Sequence, residues 1–144
     1  MQNLTRFLAV FLVGLLLVAC SQKVPENRFV GIWEIKGRKT FEGIQINIEK
    51  KNDILVGKIY RLNKNKFVKM FCDSNAIWIS AIQRTSDNEF TLTESKIGSE
   101  LFSLYNLSTS QEFKVQFIDN NTFGLATDNS DPLKSTKIYK RVIK

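Results

Sequence analysis

The sequence predicts an all-β domain, an antiparallel barrel or sandwich, and three observations carry that prediction. From Phe29 onward, apolar and polar side chains alternate with a period of two in several short runs, the pattern of strands with one buried face. Clusters of Asn, Asp and Gly stand between those runs at intervals of about 8–12 residues. Helix signals are scarce over the same stretch. The chain has 144 residues, which after a leader leaves one domain with a single core, large enough to fold without disulfides or metal.

The strands can be taken in order. Ile44, Ile46 and Ile48 alternate with Gln45, Asn47 and Glu49; Phe90 and Leu92 alternate with Thr91 and Thr93; Phe113, Val115 and Phe117 alternate with Lys114 and Gln116. Turns are expected at Gly37-Arg38-Lys39, Lys51-Asn52-Asp53, Asn63-Lys64-Asn65, Asp73-Ser74-Asn75, Ser86-Asp87-Asn88, Asp119-Asn120-Asn121 and Asp128 to Pro132. Asn, Asp and Gly tolerate the left-handed backbone such turns use. The run Ala76 to Ile82, with Trp78, is apolar on both faces. Such a strand is covered on both sides or lines a cavity on one, and the core position is the expectation. Glu100 to Ser108 fits both periods, with Leu101, Leu104 and Tyr105 on a helical face and Phe102 and Leu104 against Ser103 in a strand; a strand is expected.

Ahead of the domain lies an uncharged apolar run, Phe7 to Ala19, preceded by Arg6. It is far shorter than the about 17–25 residues a spanning helix needs and has the layout of a secretory h-region. It ends in Leu17-Val18-Ala19-Cys20, which resembles the signal of bacterial lipoproteins. That resemblance implies cleavage before Cys20, acylation of its thiol, and anchoring by more than one acyl chain, which makes attachment effectively permanent. Ser21 stands where, by the same resemblance, an Asp would favour the inner membrane, so the periplasmic face of the outer membrane is expected. The chain then divides into a signal peptide, residues 1–19; a lipidated N-terminus and linker, 20–28, polar and containing Pro25; and the β domain, 29–144.

Val30-Gly31-Ile32-Trp33 carries a second resemblance, to the lipocalin-like (calycin) small barrels. Their first strand holds Gly-x-Trp, matched by Gly31 and Trp33, and a basic residue on the last strand packs over that Trp, a position matched by Arg141 in Tyr139-Lys140-Arg141-Val142. The resemblance implies an up-and-down antiparallel barrel of about 8 to 10 strands closed at one end. A guanidinium over an indole contributes about 0.5–2 kcal/mol in its own right.

Composition narrows the function. The sequence contains no His, which removes His-based acid-base chemistry, Ser-His and Cys-His pairs and His-ligated zinc. The aspartates fall in turn clusters, where local backbone hydrogen bonding accounts for them. Asp128-Asn129-Ser130-Asp131 lacks the Gly and distal Glu of a calcium loop, so no metal site and no cofactor is expected. Cys72 has neither a partner base nor a second thiol beside it and reads as a small hydrophobe. An enzyme is therefore not expected. Loss of Arg6 with the leader lowers the formal net charge from +7 to +6. Between Asp53 and Asp73 the chain carries Lys58, Arg61, Lys64, Lys66 and Lys69 without an acid, interleaved with Tyr60, Phe67 and Phe71. This stretch reads either as a solvated hairpin whose lysines discourage edge pairing, or as a basic patch for anionic lipid or an acidic protein. Export makes nucleic acid an unsuitable partner. The expectation is a lipid-anchored binding domain for anionic lipid, a small apolar ligand or a protein, the alternative being an immunity or inhibitor lipoprotein that neutralises a secreted toxin or hydrolase.

Overall fold

The computed structural model describes residues 22–143. Eight strands run β1 Gly31–Lys36, β2 Gln45–Lys51, β3 Ile54–Arg61, β4 Ile77–Arg84, β5 Glu89–Ser95, β6 Ser110–Asp119, β7 Thr122–Ala126 and β8 Ile138–Arg141. Each pairs antiparallel with its neighbour in sequence, and β8 pairs back to β1, so the sheet is a closed up-and-down barrel. The period-two pattern has its expected consequence. Phe90, Leu92 and Glu94 of β5 and Leu55, Gly57 and Ile59 of β3 face inward, and large side chains including Trp33, Ile46, Ile79, Phe123 and Tyr139 fill the interior. Small barrels are filled in this way by their inward-facing residues.

The two ends of the barrel differ. One end gathers the tight turns β2–β3, β4–β5 and β6–β7 and is stoppered by a 3-10 turn, Glu26–Phe29, whose Phe29 is fully buried against Phe90, Phe117 and Phe123. Trp33 is fully buried there and its indole N–H donates to the Phe29 carbonyl at 2.6 Å. Arg141 pairs with Trp33 across the β1–β8 seam and lays its guanidinium 4.2 Å from the indole centroid, donating also to the Val30 and Arg28 carbonyls. Gly31, at φ +132°, leaves room for that side chain, since a Cβ there would come within 2.7 Å of an Arg141 nitrogen. Gly31, Trp33 and Arg141 are thus brought together as the motif implies. Burial and the nearby Arg28 charge draw the Arg141 pKa below the usual arginine range.

Two short helices lie at the opposite, open end: α1, Lys66–Phe71, between β3 and β4, and α2, Ser99–Leu104, between β5 and β6. The strand expected over Glu100 to Ser108 is corrected to a helix. Gly98 at φ +71° turns the chain out of β5, and Asn106 at φ +54° turns it back toward β6. Leu101 and Leu104 consequently stand in solvent rather than in the sheet. The basic stretch, for which a solvated hairpin is one of two readings, contains α1 in its connection, with Asn65 as the N-cap, accepting from the Phe67 and Val68 amides. Register irregularities fall within the run Ala76 to Ile82, at Ile79/Ala81, and opposite it on β3, at Gly57/Lys58, and the consecutive Trp78 and Ile79 are both buried there. The segment read as linker is in contact from Val24 onward, with the Val24 N–H donating to Asp87 O at 2.9 Å and the Arg84 guanidinium donating to Val24 O.

Candidate functional site

The β1–β2 connection places Arg38 over the open end, and its side chain turns inward. Gly37 at φ +72° makes the turn, and the Arg38 guanidinium reaches both carboxylate oxygens of Glu94 at 2.7 Å. Glu94 occupies an inward position of β5 and is almost fully buried. Its second partner is the Tyr139 hydroxyl, which donates at 2.5 Å and in turn accepts the Trp78 indole N–H at 2.8 Å. Four residues from four different segments form one polar chain in the upper barrel, and every buried side-chain polar atom among the described residues has a partner. Burial, then the adjacent Glu94 charge, raises the Tyr139 phenol well above its ordinary pKa, so it remains a donor. This arrangement fits a structural lock: the acid is held by a cation, and its remaining acceptor capacity is taken by the phenol.

Above that lock lies a cleft of about 270 Å³. Its walls include Arg38, Phe41 and Trp78 below, with Phe67 of α1 and Phe102 of α2 on its flanks. Phe41 packs edge-on to Trp78, and the Arg38 guanidinium lies 4.8 Å from the Phe41 ring, so the floor is aromatic with one paired cation in it. The surrounding rim is apolar and exposed. Phe67, Met70 and Phe71 on α1, and Leu101, Leu104 and Tyr105 on and after α2, all face water, Met70 at 74% and Leu104 at 80% of full exposure. α1 is held down by the buried Val68 alone among its six side chains.

The five cations of the basic stretch are all exposed and lie on the α1 side of this rim. Lys58 and Arg61 project from β3, Lys64 stands in the connection, and Lys66 and Lys69 belong to α1. None lies within 4.0 Å of a carboxylate among the described residues, whereas Lys36, Arg38, Lys50, Arg84 and Lys114 all do. The connection is pinned: the Asn63 amide donates to the Thr40 and Glu42 carbonyls, tying α1 to the β1–β2 turn. Cys72, at the end of α1, is partly buried, and burial followed by the Asp73 charge pushes its thiol up, away from the thiolate.

Sequence reasoning missed Arg38, Glu94 and Tyr139. A signal for Glu94 was present: it continues the inward parity of Phe90 and Leu92, and an acid at a core position requires a partner. Cys20 lies outside the described residues. No helix of the described residues is long and apolar enough to cross a membrane. The chain matches no protein-family model, no curated protein and no solved structure.

Proposed function

We propose that the protein is a lipoprotein of the bacterial envelope, anchored through Cys20, whose lipocalin-like barrel acts by binding at its open end rather than by catalysis. The observation that carries this reading is the placement of five exposed cations, none paired with a carboxylate among the described residues, beside an exposed aromatic rim and cleft, at the end of the barrel not stoppered by Trp33. Exposed apolar patches bordered by charge mark interaction sites. The polar chain beneath favours binding over chemistry, because Glu94 is already engaged by Arg38 and Tyr139. The Leu17-Val18-Ala19-Cys20 signal supports the anchor, and Ser21 in place of an Asp after it supports the periplasmic face of the outer membrane.

Two variants test the reading. Changing Lys64, Lys66 and Lys69 to Gln should leave stability within about 0.5 kcal/mol per exposed site, while weakening capture of an acidic partner or anionic vesicle, most visibly at low salt. Equal capture by both proteins removes the patch from the site. Cys20→Ser should remain unprocessed or leave the membrane fraction; a processed Cys20→Ser protein that still sediments with membranes removes the anchor.

A further inference from the structure

The open end and the tethered end of the domain are opposite ends of the barrel. Val24 is bonded to the β4–β5 turn beside the Trp33 stopper. Three residues, Ser21 to Lys23, separate it from Cys20, four steps along the chain and a reach of about 14 Å at full extension. The barrel wall between the two ends is the eight residues of β3 or β4, about 20 Å once strand tilt is allowed for. A domain anchored through Cys20 therefore rests its stoppered end on the membrane and turns α1, α2 and the five cations into the aqueous space. This step rests on the anchor proposed above.

The chemistry of the rim says what meets it there. Its cleft, at about 270 Å³, is below the about 300–1,000 Å³ of small-molecule sites. Phe67 and Phe102 flank an opening suited to one or two side chains. Aromatic residues and Met around a small apolar recess are the composition of protein-protein interface cores, and the lysines lie outside that recess, where charge selects the partner rather than anchoring it. Five exposed cations without a carboxylate partner among the described residues complement acidic side chains. We infer that the α1–α2 rim docks an acidic protein segment presented from the side away from the tether, one apolar side chain entering between Phe67 and Phe102 while its flanking carboxylates meet Lys64, Lys66 and Lys69.

The test uses the full lipidated chain in its own cells, with photoreactive p-benzoylphenylalanine in place of Met70 or Leu104 at the rim, or of Asn88 at the stoppered end. The expected result is a protein adduct from the Met70 and Leu104 positions and not from Asn88, with the crosslinked peptide rich in Asp and Glu. In Lys64→Glu/Lys66→Glu/Lys69→Glu the adduct should fall about tenfold or more, since like charges then face the partner. A partner variant with the facing acids changed to Lys should restore it. Adducts chiefly with phospholipid would overturn the protein partner while leaving binding by the patch intact. Equal protein adducts from Asn88 would overturn the orientation. No rim adduct, or an adduct unchanged by the triple reversal, would overturn the docking site altogether, and membrane fractionation of Cys20→Ser reads the anchor separately.

Discussion

Replacing Arg38 with Met removes the cation from a carboxylate that keeps only 4% of its side-chain exposure, while preserving most of the aliphatic stem. Breaking a buried ion pair from one side costs about 3–5 kcal/mol, because the remaining charge is stranded. Arg38 itself keeps 14% exposure, which permits some screening and places the cost at the lower end, about 3 kcal/mol. Loss of the guanidinium from above Phe41 adds about 0.5 kcal/mol. For a domain of this size that is a fall in Tm of roughly 10–15 °C. Urea unfolding read by tryptophan fluorescence is well placed to measure it, since both Trp33 and Trp78 are buried and Trp78 belongs to the same polar chain. The slope with denaturant should be unchanged. Adding Glu94→Gln to Arg38→Met should then recover part of the loss, because the stranded charge is gone, giving a coupling of about 1.5 kcal/mol or more across the double-mutant cycle. A loss below about 1 kcal/mol for Arg38→Met, or strict additivity of the two changes, would refute the lock.

Trp33→Ala should cost about 3–5 kcal/mol, and Arg141→Ala should raise the exposure of Trp33 to acrylamide quenching; a stable Trp33→Ala domain would contradict the role of the stopper. Tyr139→Phe leaves the Trp78 N–H without an acceptor and Glu94 Oε1 with Arg38 as its remaining donor, and should cost about 1–3 kcal/mol at neutral pH. The Tyr139 pKa is raised on folding, so its protonated form stabilises the native state fully below the unfolded value of about 10, and that contribution is lost as pH rises through the folded value. Stability of the parent should therefore fall more steeply above about pH 10 than that of Tyr139→Phe, and parallel curves would count against the buried phenol. Gly37→Ala should cost about 3–5 kcal/mol, since it combines left-handed strain with a Cβ 1.8 Å from the Thr136 carbonyl oxygen, whereas Gly98→Ala, which meets open space, should cost about 1 kcal/mol in thermal unfolding.

Much of the barrel was legible because strand period and turn chemistry are local properties. Ile44 to Ile48, Phe90 to Leu92 and Phe113 to Phe117 each state which side is buried without reference to any other part of the chain. The stopper was legible through Gly31, Trp33 and Arg141. The open end was not, because its contacts join segments far apart in sequence. Arg38 sits between Gly37 and Lys39 as an ordinary turn residue, and only the closure of the sheet brings it to Glu94. Asn63 and Asn65 announce a bend correctly but not the helix beyond it, since one binds the β1–β2 turn and the other caps α1. The helix α2 hid in a stretch whose apolar residues face solvent, so periodicity had no buried face to report.

The seam between β1 and β8 joins the first strand to the last, and it sets the order in which the fold can be completed. Hairpins β2–β3, β4–β5 and β6–β7 need only short loops to close, so they can form early. The pairing of Trp33 with Arg141 needs nearly the whole domain to be present. Barrels dominated by such non-local pairing fold on the slower, millisecond-to-second scale. Until β8 arrives, β1 and β7 each offer an unpaired edge, the hazard that closure abolishes. Removing the last few residues would therefore leave a nearly complete sheet with two sticky margins, so the short C-terminal strand guards against self-association as well as contributing to the core.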